Sequence, residues 1–161
     1  MEGFLDYGYD DGSRDAVGRA RDELLASPVT RVMTAPAEFA DPELTLRETA
    51  GAMVARGLGS LILLRGDGPS AIVTERDVVA AIADGVNPEL AWAADVASDE
   101  VLALESTDTV QEAIEEMAMH GVHHLPVRRD GTVIGVVSVS DLVVALTTES
   151  LAQPSPRAAG E

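Results

Sequence analysis

An internal repeat constrains the fold of this chain more than any other feature. Residues 32–82 align with residues 96–146 at a constant offset of 64, without a gap, and 11 of the 51 pairs are identical. The identities include residue types that begin and end helices, at Thr45, Glu48, Gly57 and Asp77 and their partners in the second copy. The sequence therefore predicts two copies of one structural unit.

The repeated unit begins with a helix that has recognisable ends. Thr45 and Thr109 are each followed three residues later by Glu, which is the pattern of a capping box. Gly57 and Gly121 stand where each amphipathic pattern stops, so they are predicted to end the two helices in the left-handed conformation. A second helix is predicted to begin at Thr74 in repeat 1 and at Ser138 in repeat 2.

Between its two helices each unit is predicted to form an apolar strand, a turn and a return strand, with a short leading strand near Val32 or Val101–Leu104. These segments are, in order, Leu58–Leu64, Gly66–Pro69 and Ala71–Val73, then Val122–Val127, Asp130-Gly131 and Val133–Val137. A sheet of this size buries only one face. Two units that pack sheet to sheet would share a core, and the expected class is α+β with two β-α-β-β-α repeats.

The remaining segments flank these units. Residues 1–28 are expected to form a tail and a helix from Ser13 to about Ala26, which ends before Pro28. Repeat 1 would span 29–86 and repeat 2 would span 95–147. Asn87-Pro88 predicts a linker helix over 87–94, and residues 148–161 have the composition of a disordered tail.

Charge and cysteine content narrow the function classes. The chain has 28 acidic and 11 basic residues, all of the bases Arg, for a net charge of −17. Nucleic-acid binding is disfavoured because phosphate neutralisation needs clustered bases. Without cysteine, disulfides and thiolate metal sites are excluded.

No apolar run is long enough to cross a membrane, so a cytoplasmic protein is expected. The acidity suggests a halophile, or alternatively an acidic protein from a GC-rich genome.

At this point the motifs identify a family resemblance. The chain resembles a tandem pair of cystathionine-β-synthase (CBS) domains, the Bateman module, over about residues 29–147. Four segments carry the resemblance: Val32-Met33-Thr34, Ile72-Val73-Thr74-Glu75-Arg76-Asp77, His123-His124-Leu125-Pro126-Val127 and Gly135-Val136-Val137-Ser138-Val139-Ser140-Asp141.

The resemblance implies pseudo-two-fold packing of the repeats, with two clefts for adenosine-containing ligands. The closing Asp would bind the ribose, the Ser or Thr three residues earlier would lie near phosphates, and an apolar residue would line the adenine. One cleft would use Thr34, Leu58, Gly59, Ser60, Val136, Ser138 and Asp141. The other would use Ile72, Thr74, Asp77, Ser98, Val122, His123 and His124.

The residue chemistry agrees with those roles. A carboxylate can accept two hydrogen bonds from a cis-diol, and a hydroxyl at a helix N-terminus lies where anions are stabilised. The same Ser-x-x-Asp and Thr-x-x-Asp patterns also fit simple helix caps. Both interpretations can hold in one structure.

The identity of the ligand and the occupancy of the two clefts stay open. AMP, ADP, ATP or S-adenosylmethionine are the candidates, and in so acidic a chain a triphosphate would need Mg²⁺ or salt to offset its charge. The clefts are expected to be unequal, because Ala71 stands opposite Gly135 and Ile62 opposite Pro126.

The resulting prediction is a ligand-sensing regulatory module without chemistry of its own, forming a homodimer and acting on an unidentified partner protein. The segments outside the repeats are too short for a catalytic domain. One alternative is a structural dimerisation module with vestigial clefts. The other is a metal-dependent enzyme using His120, His123 and His124, which is disfavoured because His123 and His124 are expected on opposite faces of a strand.

Two smaller expectations concern packing. Methionine fills irregular gaps in apolar cores, so the chain's helical and interior methionines are expected to be buried. This set comprises Met33, Met53, Met117 and Met119. Trp92 is expected to pack within the linker helix.

Overall fold

The computed structural model describes residues 11–64, 71–98 and 102–151, with side chains described from residue 16 to residue 148. Its helices are α1 (Asp11–Leu25), α2 (Leu46–Arg56), α3 (Glu75–Ala83), α4 (Ala93–Val96), α5 (Val110–His120) and α6 (Val139–Leu151). Its strands are β1 (Phe39–Ala40), β2 (Ser60–Leu63), β3 (Ala71–Thr74), β4 (Leu104–Glu105), β5 (His124–Arg129) and β6 (Thr132–Ser138). The predicted turn at Gly66–Pro69 and the tail beyond Leu151 lie outside the described residues.

The capping boxes begin the first helix of each repeat as predicted. The backbone N–H of Glu48 donates to the hydroxyl of Thr45 at 3.2 Å, and the Glu48 carboxylate accepts the Thr45 N–H at 2.9 Å. Thr109 and Glu112 repeat this arrangement at the start of α5. The two helices end at glycines with φ of 66° and 64°. Each repeat thus sets its own helix length by local hydrogen bonding.

Each repeat contains one three-stranded sheet with the same topology. A parallel leading strand, β1 or β4, pairs with the central strand, β2 or β5, which pairs antiparallel with β3 or β6. The equivalent pairs Ser60↔Thr74 and His124↔Ser138 show the common register. Asp130 and Gly131 both have positive φ, as expected for a two-residue type I′ hairpin turn.

The two sheets pack against each other, which confirms the predicted α+β architecture. A buried cluster joins Ile62 and Ile72 of the first sheet to Val133 of the second, with Val136 packed against it. Two further clusters lie between each sheet and its own helices. Helix α1 adds Leu24 to the cluster of repeat 2, where that side chain is buried.

Two predicted elements are wrong. The leading strand of repeat 1 is Phe39–Ala40 rather than the region of Val32, which follows a 3₁₀ turn at Val29–Arg31. The linker is no helix over 87–94. A single turn closes on the carbonyl of Asn87, after which Trp92 adopts an extended conformation and bridges to Thr45. That bridge interrupts the helical conformation.

Other boundaries and packing predictions also shift. Helix α6 continues to Leu151, beyond the predicted end of repeat 2 at residue 147. Met53 and Met117 are buried as predicted, whereas Met119 is 74% exposed and Trp92 is 49% exposed. Helical periodicity identifies apolar residues but does not show which of them a neighbour covers. Among the described helices, none has an apolar stretch long enough to cross a membrane.

Candidate functional site

A cavity of about 770 Å³ lies where the two repeats meet. It is lined by all seven residues predicted for the first cleft: Thr34, Leu58, Gly59, Ser60, Val136, Ser138 and Asp141. These residues come from three separate parts of the chain. Sheet-to-sheet packing brings them together, and the volume is within the usual range for small-molecule sites.

Thr34 reaches the cavity through a two-way backbone bridge. Its N–H donates to the carbonyl of Val136 at 2.8 Å, and its carbonyl accepts the N–H of Val136 at 3.0 Å. Gly135 makes this approach possible. A Cβ at Gly135 would lie 2.8 Å from the Thr34 carbonyl oxygen and 2.7 Å from Sδ of Met33. Any larger residue would push the Thr34 segment away from β6.

Ser138 and Asp141 form the capping box that begins α6. Oδ2 of Asp141 accepts the N–H of Ser138 at 2.8 Å and its hydroxyl at 2.7 Å. The other oxygen, Oδ1, accepts the hydroxyl of Thr34 at 3.3 Å. The cap and the site are therefore the same residues. The carboxylate is held in one orientation, and Oδ1 keeps a lone pair for a further donor.

The opposite wall is formed by Leu58, Gly59 and the buried Ser60. A Cβ at Gly59 would lie 2.7 Å from Nε2 of His124, so the imidazole packs directly on the glycine backbone. Burial lowers the pKa of His124, an effect that Glu75 and Asp141 partly oppose and His123 reinforces. The lowered pKa favours the neutral imidazole at pH 7.

The cavity also has residues that sequence reasoning missed. Apolar or small side chains form most of the additional wall, and two carboxylates lie among them. This set is Pro36, Ala37, Glu38, Ala50, Met53, Val54, Gly57, Glu75, Val78, Val79, Val139 and Ser140. Arg56 neutralises Glu38 through an ion pair of 2.7 Å. The repeat alignment pairs Glu75 with Val139, and the structure places both residues in the lining of the cavity.

The second predicted cleft is arranged differently. Ile72, Thr74, Asp77, Ser98 and Val122 do not line the cavity. The N–H of Ser98 donates to the carbonyl of Ile72 at 3.1 Å, and Asp77 caps α3 by accepting from Thr74 at 2.7 Å. The backbone frame of the cleft is therefore present.

Larger side chains occupy the corresponding positions of that second frame. His123 and His124 replace Gly59 and Ser60 of the first cleft, and Glu75 and Arg76 replace Val139 and Ser140. Nη1 of Arg76 donates to the carbonyl of Gly121 at 3.3 Å. Val122 and His123 line a smaller apolar groove between α5 and α6, and His123 lines the large cavity as well. The two frames thus differ in the size of the side chains at equivalent positions.

The three histidines do not gather at one point. His120 contacts Glu116 at 3.3 Å on α5, whereas His123 and His124 both line the large cavity. The two were expected to be neighbours on a strand, but β5 begins at His124 and His123 lies in the bend before it. Within the described part of the chain, no three His, Asp or Glu residues are placed to hold a metal ion.

Comparison with known proteins agrees with this architecture. The family model for the CBS domain matches residues 29–84 and 93–148. The chain belongs to the CBS-domain family. An uncharacterised protein of Methanopyrus kandleri, MK0525, is 35% identical over 105 residues, which is 63% of this chain but only 54% of that protein.

Solved CBS pairs share the fold. The CBS-domain protein ATU1752 of Agrobacterium tumefaciens has a TM-score of 0.69 at 25% identity, covering 75% of this chain and 94% of that one. The CBS pair of protein MJ0100, solved with 5′-methylthioadenosine and S-adenosylmethionine, has a TM-score of 0.66 at 18% identity and covers 73% and 98%.

Proposed function

We propose that this CBS pair is a regulatory module that binds an adenosine-containing molecule in the cavity between its repeats. The observation that carries the proposal is the convergence of all seven first-cleft residues on one cavity of about 770 Å³. The solved pair of MJ0100 supports the ligand class, since it holds 5′-methylthioadenosine and S-adenosylmethionine.

The geometry suits the separate parts of such a ligand. Val136, Ala37 and Met53 offer an apolar wall for a purine. Oδ1 of Asp141, which already accepts from Thr34, would accept a ribose hydroxyl. The Ser138 hydroxyl is committed to the Asp141 carboxylate, so it contributes to the site mainly by orienting that group.

Regulation would follow from the position of the cavity. Leu58 and Gly59 belong to repeat 1, whereas Val136 and Asp141 belong to repeat 2. A ligand that touches both repeats stabilises the arrangement in which both walls fit it. The resulting population shift would change the surface presented to a partner protein. No catalytic step is assigned to the module.

We propose that the second cleft is empty or weakly occupied. Its carboxylate, Asp77, is held by a capping box as Asp141 is. The positions that Gly59, Ser60 and Ser140 hold in the first cleft carry larger side chains in the second: His123, His124 and Arg76. The expected stoichiometry is therefore one ligand per chain.

The alternative is a dimerisation module whose clefts are vestigial. A thermal-shift screen separates the two proposals, using adenosine, 5′-methylthioadenosine, S-adenosylmethionine, AMP, ADP and ATP with Mg²⁺. Binding to the cavity predicts a higher melting temperature with at least one of them. An unchanged melting temperature with all of them would favour the dimerisation module.

Two matched variants locate the binding event. Asp141→Ala and Asp77→Ala each remove the carboxylate of a capping box, so both should lose about 1 kcal/mol of stability. Of these two carboxylates, Asp141 alone lines the cavity. Calorimetry should show binding lost in Asp141→Ala and kept in Asp77→Ala. Equal affinity in both variants would contradict the site.

A further inference from the structure

The cavity has an unusual charge for a nucleotide site. Among the described residues that line it there is no Arg, while Glu38, Glu75 and Asp141 supply carboxylates. Arg56 lies outside the lining and is already paired with Glu38. Two carboxylates, those of Glu75 and Asp141, therefore face the cavity without a cationic partner in it.

Two N–H groups of the helix N-terminus in the cavity are already bonded. The N–H of Val139 donates to the carbonyl of His123 at 3.0 Å, and the N–H of Asp141 donates to the Ser138 hydroxyl at 3.2 Å. The Asp141 carboxylate itself lies at this end of α6, where a ligand phosphate would otherwise be stabilised. The place that the sequence suggests for a phosphate thus already holds a negative charge.

Glu75 lies beside Gly59, on the wall of the cavity that faces the Ser138–Asp141 cap. Its carboxyl carbon and the His124 imidazole both approach the backbone of Gly59, at 3.6 Å and 2.7 Å from where a Cβ would stand. His124 is the cross-strand partner of Ser138. Glu75 comes from α3 of repeat 1, yet it lines the same cavity as Asp141, and the charges of both carboxylates act on the pKa of His124. Its equivalent in repeat 2 is the uncharged Val139.

We infer that the cavity selects adenosyl ligands whose 5′ substituent is uncharged or cationic, and that Glu75 is the residue that excludes a 5′-phosphate. This inference rests on the proposed binding function and refines it. A thioether or a sulfonium at the 5′ position meets the two carboxylates without repulsion, whereas a phosphate meets both. At the effective dielectric constant of about 20 that is typical of partly solvated sites, such repulsion between near neighbours changes affinity by about tenfold or more.

Calorimetry with two ligand pairs tests the selection. AMP and 5′-methylthioadenosine differ at the 5′ substituent, and S-adenosylmethionine differs from S-adenosylhomocysteine by one methyl group and one positive charge. The wild-type protein should bind 5′-methylthioadenosine at least about tenfold more tightly than AMP, and the sulfonium more tightly than its thioether.

Two charge-matched variants assign the effect to one residue. Glu75→Gln should reduce the preference for 5′-methylthioadenosine over AMP by about tenfold, mainly through tighter AMP binding. It should also reduce the preference for S-adenosylmethionine over S-adenosylhomocysteine, through weaker binding of the sulfonium. Asp84→Asn removes the same charge at the other end of α3, outside the cavity, and should leave both ratios within about twofold of wild type. Because both variants change the net charge of the protein by the same amount, a difference between them reflects the position of the charge removed.

The outcomes separate the inference from the proposal beneath it. If wild type binds AMP as tightly as 5′-methylthioadenosine and Glu75→Gln leaves that ratio unchanged, the charge selection is wrong and the binding function stands. If neither wild type nor Glu75→Gln binds any of the four ligands, and the thermal-shift screen also finds no ligand, the proposed function itself is wrong. If AMP binds Glu75→Gln but not wild type, Glu75 is the excluding residue.

Discussion

The hydroxyl of Thr34 donates a hydrogen bond to Oδ1 of Asp141 at 3.3 Å. The two residues are 107 positions apart, and their contact ties the leading segment of repeat 1 to the last helix of repeat 2. Thr34→Val keeps the shape of the side chain but removes the donor. Because this bond is exposed, stability should change by less than about 1 kcal/mol. Affinity for the adenosyl ligand should fall by about three- to tenfold as Asp141 loses its orientation.

Calorimetry and thermal denaturation of Thr34→Val measure the two effects separately. Thr147→Val is a suitable control, because its hydroxyl donates only to carbonyls of its own helix. A Thr34→Val protein that binds as wild type does would show that Asp141 needs no help from Thr34.

The local parts of this arrangement could be predicted from the sequence. Capping boxes and helix-ending glycines depend on residues three or four positions apart, so Thr45 and Gly57 identified their helix ends correctly. The Ser138–Asp141 cap was also visible in the sequence. Its counterpart Thr34 was placed by the family resemblance, since no local pattern connects residues so far apart.

The features that the sequence did not predict depend on contacts between separate helices and strands. Glu75 lines the cavity because the sheets pack face to face, and sequence periodicity does not show which side chains then meet. The linker was predicted as a helix because Asn87-Pro88 begins one well, but the bridge between Thr45 and Trp92 requires an extended chain. Tertiary pairing overrode local preference at that point.

Gly135→Ala should destabilise the fold and weaken ligand binding together. The added Cβ would lie 2.8 Å from a backbone oxygen of Thr34, which cannot move without displacing its segment. The expected loss is about 1–3 kcal/mol, as for overpacking in general. Gly51→Ala is the control, because nothing lies within 4 Å of its Cβ position on α2. That change should stabilise the helix by about 0.5–1 kcal/mol. Chemical denaturation measures both, and equal effects would contradict the close approach.

Protonation of His124 should contribute to the pH dependence of the protein's stability. Its pKa is lowered in the folded protein, chiefly by burial, so the unfolded chain binds the proton more readily. The contribution of neutral His124 to the free energy of unfolding is therefore complete above the ordinary histidine pKa of about 6.5. It is lost as the pH falls from there through the lower pKa of His124 in the folded protein.

Denaturation midpoints at pH 7.5 and 5.5 test this sign. Wild type should be less stable at pH 5.5, and His124→Gln should lose part of that difference. His120→Gln alters a histidine outside the cavity and should retain it. A His124→Gln protein with the full wild-type pH dependence would assign the effect to other groups.

The predicted homodimer has a candidate face. Val143 and Val144 on α6, and Val79 and Ile82 on α3, are 53–65% exposed in a protein of net charge −17. Val79 and Val139 line the mouth of the cavity, and Val139 and Val143 line the neighbouring groove. An apolar band of this kind is typical of protein contacts.

Light scattering in molar KCl should then find a dimer for wild type and a monomer for Val143→Glu. Leu64→Glu adds the same charge at another exposed apolar residue and should stay dimeric. A monomeric wild type, or a dimer that survives Val143→Glu, would exclude this face.

Salt should stabilise the protein if its acidity is an adaptation to a saline cytoplasm. Acidic residues outnumber basic ones by 28 to 11. At 1 M salt the Debye length is about 3 Å, so the repulsion between their carboxylates is largely screened. The melting temperature should therefore rise from low salt to molar KCl. Replacing the exposed acids Asp22, Glu23 and Glu43 by their amides should reduce that rise, because fewer charges then repel in the folded state. A melting temperature that is constant with salt, or a triple variant with the wild-type rise, would assign the acidity to composition alone.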